Sequence, residues 1–392
     1  MVKRSLRLFN PSRITLCAVI LAFAGWVPFA VAGANAWTSS GPTTSVIQAL
    51  IADPTGESSV YCGAVGPVLF NLKADHWEKV SDGTGSAYAN LNAVSVDPGD
   101  PRTILVGVSS SVLPPKGGIY KSTDRGRTWV FIDVHDGDPV FSVSIDPLAG
   151  GTAYVVASVC SCLPRGCLTG LACSGRVYKS TDSGLTWTRQ GNLDGVTALA
   201  IDPVASSRLY AVALGGVFKS DDGGATWIPM NSGFSDSCGP SRGLAISRND
   251  PSVLYVTTKP FCAAAVYKTT DGGSIWRPTG LTFEHVGVTD SIAVDPTNEN
   301  IVYLTAGDAG VFRGGAGFFR STDGGENWTR FDAGLPDPNT DLVAVDRDGA
   351  TVHVSIFQKG VFDYSYVPPL RPPVQRIGRS PTVVPVPSRQ GR

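Results

Sequence analysis

The chain has 392 residues, with 32 Lys plus Arg against 33 Asp plus Glu and a formal charge of −1. Its 45 Gly and 28 Pro suit an all-β domain with many turns, and no amphipathic helix of useful length follows the first 35 residues. Of the basic residues, four lie before residue 14 and five after residue 366, so the middle of the chain is acidic, which argues against a nucleic-acid partner.

Residues 1–36 read as a secretory leader. Lys3, Arg4, Arg7 and Arg13 precede an apolar run from Ile14 to Ala32, and Ala34-Asn35-Ala36 offers an A-x-A cleavage site. The run is also long enough for an uncleaved anchor. Pro28 and the small residues favour cleavage after Ala36, giving a secreted or periplasmic protein with no stable membrane insertion.

From residue 37 to residue 366 the chain repeats itself. An apolar run ending in Asp-Pro or a relative recurs as LIADP, VSVDP, VSIDP, LAIDP, LAISRNDP, IAVDP and VAVDRD, with anchors at Asp53, Asp97, Asp146, Asp202, Ser247, Asp295 and Asp346. A short second strand follows each anchor. Five units then continue into YKSTDRGRTW, YKSTDSGLTW, FKSDDGGATW, YKTTDGGSIW and FRSTDGGENW, whose tryptophans are Trp129, Trp187, Trp227, Trp276 and Trp328. A unit recurring every 40–60 residues marks a propeller or solenoid. Seven anchors predict an all-β fold: a single seven-bladed β-propeller of four-stranded antiparallel blades. Blade 1 keeps only Trp77 of the tryptophan phrase, in FNLKADHW. The last unit ends at GVFDYS with no fourth strand after it, whereas Ala36-Trp37-Thr38 matches the sequence around Trp187 and Trp328. The N-terminal strand is therefore predicted to close the last blade, which removes an open sheet edge.

Each Ser/Thr-x-Asp-x-Gly-x-x-Trp phrase reads as strand, tight turn, strand. Asp124, Asp182, Asp222, Asp271 and Asp323 are predicted turn staples that accept backbone N–H groups. Five aspartates at one structural position cannot all be catalytic, and repeats share packing chemistry. These phrases resemble Asp-box (BNR) repeats, which occur in sialidases, the sortilin ectodomain, xyloglucan-active glycoside hydrolases and photosystem II assembly factors, all of them β-propellers. The resemblance spans about residues 37–366 and implies the fold far more specifically than an activity.

Cys160, Cys162, Cys167 and Cys173 sit in an insertion between strands 2 and 3 of blade 3. In an oxidising compartment they predict a disulfide-stapled loop, because the spacing lacks the paired CxxC and the His of structural zinc sites. Cys238 and Cys262 fall in loops on one propeller face and form a second candidate bridge. Cys62 is left over as a buried thiol. No metal or cofactor motif is present. Residues 367–392 are rich in Pro and Arg and should form a disordered tail.

Propellers usually bind ligands at the mouth of the central channel, on the face of the strand 4–1 and strand 2–3 loops. Five residues before each anchor, the innermost strands carry Gln48, Asn92, Phe141, Thr197, Arg242, Asp290 and Asp341. The positions one and three before the anchor are apolar, so polarity begins where the strand meets the mouth. Gln48, Asn92, Thr197, Arg242, Asp290 and Asp341 are candidate binding residues, and Asp290 with Asp341 a candidate catalytic carboxylate pair. A structural ring of inter-blade hydrogen bonds and ion pairs is the alternative. Loop residues His135, Asp136, Phe261, Glu284, His285, Asp308, Arg313 and Asp337 are further candidates on this face.

These features lead to an exported, monomeric module that binds a protein or a polysaccharide. The alternative is a glycoside hydrolase, which needs two carboxyl groups about 5–10 Å apart. The Arg-Ile-Pro motif of the sialidases is absent, and seven units replace their usual six. Xyloglucan-active relatives normally place a cleft between two propellers, and one is legible here.

Overall fold

The computed structural model describes residues 35–42, 46–55, 59–65, 68–73, 76–80, 89–110, 117–162, 171–234, 240–258, 265–282, 288–307 and 317–366. The leader up to residue 34 and the tail from residue 367 lie outside the described residues. Among the described residues no helix is long and apolar enough to cross a membrane.

The first strand, β1 (Trp37–Gly41), stands apart from the order that follows. Blade 1 is β2 (Ile47–Ala52), β3 (Ser59–Ala64), β4 (Val68–Lys73) and β5 (His76–Lys79); blade 2 is β6 (Ala89–Val96), β7 (Ile104–Ser110), β8 (Gly117–Ser122) and β9 (Val130–Ile132). Blade 3 is β10 (Val140–Ile145), β11 (Ala153–Cys162), β12 (Leu171–Ser180) and β13 (Thr188–Asp194); blade 4 is β14 (Ala198–Ile201), β15 (Leu209–Ala213), β16 (Gly216–Ser220) and β17 (Ile228–Pro229). Blade 5 is β18 (Pro240–Ile246), β19 (Leu254–Thr258), β20 (Val266–Thr269) and β21 (Arg277–Pro278); blade 6 is β22 (Val288–Asp295), β23 (Asn298–Gly307), β24 (Gly317–Ser321) and β25 (Thr329–Arg330). The remaining strands, β26 (Thr340–Val345), β27 (Thr351–Ile356) and β28 (Gly360–Ser365), form blade 7 together with β1, in the order β1-β28-β27-β26.

The seven four-stranded sheets close into a ring, because each first strand touches the next one and β26 touches β2. Second strands such as β7, β15 and β19 are buried on both faces, since a neighbouring blade covers each side. Their sequences accordingly open as consecutive apolar residues, ILV, LYAVA and LYV, rather than alternating ones. Outer strands shrink to two residues in β17, β21 and β25, leaving little exposed edge for another chain to extend. The core therefore lies between blades. One cluster joins Tyr255 and Val266 of blade 5 to Val302, Leu304 and Phe319 of blade 6.

The N-terminal strand closes the last blade as expected, and its register sets Trp37 opposite Tyr364 and Thr38 opposite Asp363. The Trp37 indole donates from Nε1 to the Phe331 carbonyl at 2.9 Å. Its ring meets Phe318 edge-on at 5.4 Å and Phe331 at 5.7 Å.

Side-chain turns set the hairpins. At the anchors, Oδ1 of Asp53, Asp97, Asp146, Asp202 and Asp295 accepts the N–H two residues on, at 2.8–2.9 Å. Ser247 does the same through its hydroxyl. In the tryptophan phrases Ser122 Oγ accepts the Gly126 N–H at 2.8 Å and donates to Asp124 Oδ1, which also accepts the Thr128 N–H at 2.8 Å. Asp182, Asp222 and Asp323 make the same set. Asp271 makes this set too but lacks the further hydrogen bond that Thr128, Thr186, Thr226 and Asn327 side chains donate to Oδ2 of the other four, because Ile275 has no donor to offer. The Thr128 hydrogen bonds hold the Asp124 carboxyl down to about 2, and the Thr226 hydrogen bonds do the same for Asp222. In the five tryptophan phrases the fourth strand begins one residue after the tryptophan, and Trp129, Trp187 and Trp328 seal the turn by donating Nε1 to the glycine carbonyl three residues back. Trp276 instead is fully buried and donates to Met230 O.

Candidate functional site

The innermost strands do not run as regular ladders. Pairing skips one residue between Ile47 and Ala49, between Leu91 and Ala93, and between Val140 and Ser142. The residues skipped are Gln48, Asn92 and Phe141. Wider irregularities between Pro240 and Leu244, Thr289 and Ile292, and Thr340 and Val343 enclose Arg242, Asp290 and Asp341. A bulge takes its residue out of the ladder and re-aims the side chain. In blade 4 the equivalent Thr197 sits just ahead of β14, and its N–H donates to Val212 O at 2.8 Å.

Five of these seven positions converge. Gln48, Asn92, Phe141, Thr197 and Asp341 line one cavity of about 590 Å³ at the channel mouth. The Phe141 ring is 50% exposed there. Asn92 Nδ2 donates to Ser109 Oγ at 2.9 Å and to Val140 O at 3.0 Å, bridging blades 2 and 3. Gln48 Oε1 is buried without a hydrogen-bond partner, so an incoming donor would be favoured there. Arg242 and Asp290 have their backbones on β18 and β22, and their side chains lie outside the described residues.

Hydroxyls on the second strands support the bulges, and sequence reasoning missed them. Thr257 Oγ1 accepts the Gly243 N–H at 2.9 Å, and Ser355 Oγ accepts the Leu342 N–H at 3.0 Å. Thr305 Oγ1 donates to the Asp341 carbonyl at 2.8 Å. These three occupy equivalent places in VLYVTT, IVYLTA and TVHVSI, so a polar residue inside an apolar run was the available signal. Blades 1 and 2 have Gly63 and Gly107 there instead. A Cβ on Gly107 would lie 2.7 Å from Val140 Cγ1, so the next blade packs where a side chain would stand.

The described loop candidates, His135, Asp136 and Asp337, do not line this cavity. His135 Nδ1 lies 3.1 Å from Asp138 Oδ2 while Asp136 is exposed, and Asp337 pairs with Lys359 at 3.1 Å. Phe261, Glu284, His285, Asp308 and Arg313 lie outside the described residues, as do Cys167, Cys238 and Cys262. Cys62 is a buried free thiol whose pKa burial pushes up. Among the described residues no cluster of His, Cys, Asp and Glu could hold a metal ion.

No family model matches the sequence. The xyloglucanase Xgh74A of Acetivibrio thermocellus is 25% identical over 327 residues, covering 70% of this chain and 34% of that protein. A xyloglucanase of Hypocrea jecorina is 26% identical over 265 residues, covering 61% of this chain and 26% of that protein. The chain thus spans about a third or less of the length of these relatives. Among solved structures, YCF48 bound to D1 peptide superposes with a TM-score of 0.62 at 19% identity, over 85% of this chain and 98% of that one. An ancestral GH74 enzyme gives a TM-score of 0.60 at 18% identity, over 84% of this chain and 46% of that one. Both likenesses are of fold, and they agree with the ring of seven blades.

Proposed function

We propose that this chain is an exported β-propeller that binds a polysaccharide at its channel mouth and does not cleave it. The observation that carries this reading is the grouping of a half-exposed Phe141 ring with Gln48, Asn92, Thr197 and Asp341 in one cavity. The apolar face of a sugar ring stacks on an aromatic side chain, and its hydroxyls, which donate and accept, match amide groups that do both and a carboxylate that accepts. The unpartnered Gln48 oxygen asks for a donor, and a hydroxyl supplies one. The xyloglucanase relatives make xyloglucan fragments the first ligand to test.

Those relatives also favour a second reading, hydrolysis. It needs a pair of carboxyl groups. Asp341 is the one carboxylate among the described cavity residues, and Asp290, on the adjacent first strand β22, is the sequence candidate for its partner. Calorimetric titration of xyloglucan oligosaccharides into the full chain separates the readings. Covering roughly 100 Å² of the Phe141 ring is worth about 2 kcal/mol, so Phe141→Ala should weaken binding more than tenfold. Unchanged binding in both Phe141→Ala and Asp341→Asn would move the site elsewhere. Release of shorter oligosaccharides by the native chain but not by Asp341→Asn would replace the binding reading with the hydrolytic one.

A further inference from the structure

The cysteine-bearing insertion of blade 3, expected as a loop, continues the sheet. β11 and β12 are 10 residues each, and they pair without interruption from Ala153↔Ser180 to Cys162↔Leu171. The hairpin therefore projects as an arm. Its base belongs to the channel mouth, because Val156, Ser158 and Gly175 line the cavity there.

The hydrogen-bond phase of this arm can be read from its base. The Ser158 N–H donates to Pro139 O at 2.8 Å, and Gly175 O accepts the Val196 N–H at 3.0 Å. In a strand the N–H and C=O of one residue point to the same side. Ser158 and Gly175, opposite each other in register, thus turn their polar groups away from one another and form a non-hydrogen-bonded pair. Two residues further out the phase is the same, and there Cys160 stands opposite Cys173. Cα atoms in such a pair are about 4.5 Å apart, inside the roughly 4.4–6.8 Å that a disulfide spans. Cys162 stands opposite Leu171, so the register gives it no cysteine partner across the ladder.

We propose that Cys160 and Cys173 form a cross-strand disulfide that ties the arm into a rigid wall beside the channel mouth. The two thiols lose two protons and two electrons as the S–S bond forms. A small-molecule disulfide such as oxidised glutathione accepts them through a mixed disulfide, its own S–S bond breaking to give two thiols. Closing so short a loop lowers the population of opened arm on the order of 100-fold.

The test uses the full chain incubated with oxidised glutathione, alkylated without reduction, digested and analysed by mass spectrometry. A peptide pair joining Cys160 to Cys173 and released by reductant is expected. Alkylation of both cysteines, or their linkage to Cys162 or Cys167, overturns the pairing. Amide exchange in β11 and β12 beyond Ser158 should speed up on the order of 10- to 100-fold after reduction, while blade 1 is unaffected. Cys160→Ser should exchange at the fast rate with or without reductant. Equal rates before and after reduction overturn the rigid wall.

Discussion

His353 should make the stability of this propeller fall as pH rises above neutrality. The residue lies on β27 and is 3% exposed. Its Nδ1 is 2.7 Å from Asp363 Oδ1 on β28, and its Nε2 is 3.1 Å from Asp346 Oδ1 in the preceding turn. With a carboxylate at each nitrogen, both nitrogens act as donors and the ring is an imidazolium. Burial works against that charge, but hydrogen bonds and attraction from Asp346 and Asp363 outweigh it and raise the pKa from 6.5 to about 9. A folded-state pKa above the unfolded one means the stabilisation is complete below pH 6.5 and is lost as pH rises through 9. The difference is worth about 3 kcal/mol. Urea unfolding at pH 6.5 and at pH 9 measures it, and the midpoint should fall between the two. His353→Gln leaves two carboxylates without their cation, so it should cost about 3–5 kcal/mol near neutrality and remove the decline across this window. Stability that is level or rising over the window in the native chain, or an unaltered slope in His353→Gln, would refute the reasoning.

Three further outcomes are expected. Trp37→Ala removes the indole that packs on Phe318 and Phe331, should cost about 3 kcal/mol, and should make β28 sensitive to limited proteolysis. Gly107→Ala forces a Cβ to 2.7 Å from Val140 Cγ1 and should cost about 1–3 kcal/mol in chemical denaturation. Thr305→Val keeps the shape but deletes the hydroxyl that holds the Asp341 carbonyl at 2.8 Å. It should cost about 1–2 kcal/mol and weaken xyloglucan-oligosaccharide binding without moving the site.

The knot at His353 was visible in the sequence only as a pair of misfits. Elsewhere Tyr154 faces Lys179, Tyr210 faces Lys219 and Tyr255 faces Lys268 across strands 2 and 3. In blade 7 the same register sets His353 opposite Asp363. TVHVSI and GVFDYS show both departures, but each reads alone as an ordinary surface substitution until the pairing is known. Asp346 joins them from the turn between β26 and β27, where its Oδ1 lies 3.1 Å from His353 Nε2.

Blade number, strand order and ring closure were legible in the sequence because they depend on short-range chemistry. An aspartate that caps its own turn and a tryptophan that seals it act within a few residues, and the chain repeats them in order. The alignment that selected Gln48, Asn92, Phe141, Thr197 and Asp341 used the same regularity, and these five share one cavity. Only the tertiary structure decided how they come to face it. The bulges arise where an inner strand must satisfy both its own sheet and the adjoining blade, and hydroxyls such as Thr257 and Thr305, distant in sequence, accept or supply the hydrogen bonds that hold them. The same holds for the arm of blade 3. Its cysteine spacing suggested a stapled loop, but which cysteine stands opposite which follows from the register of two paired strands, a relation between segments that neither carries alone.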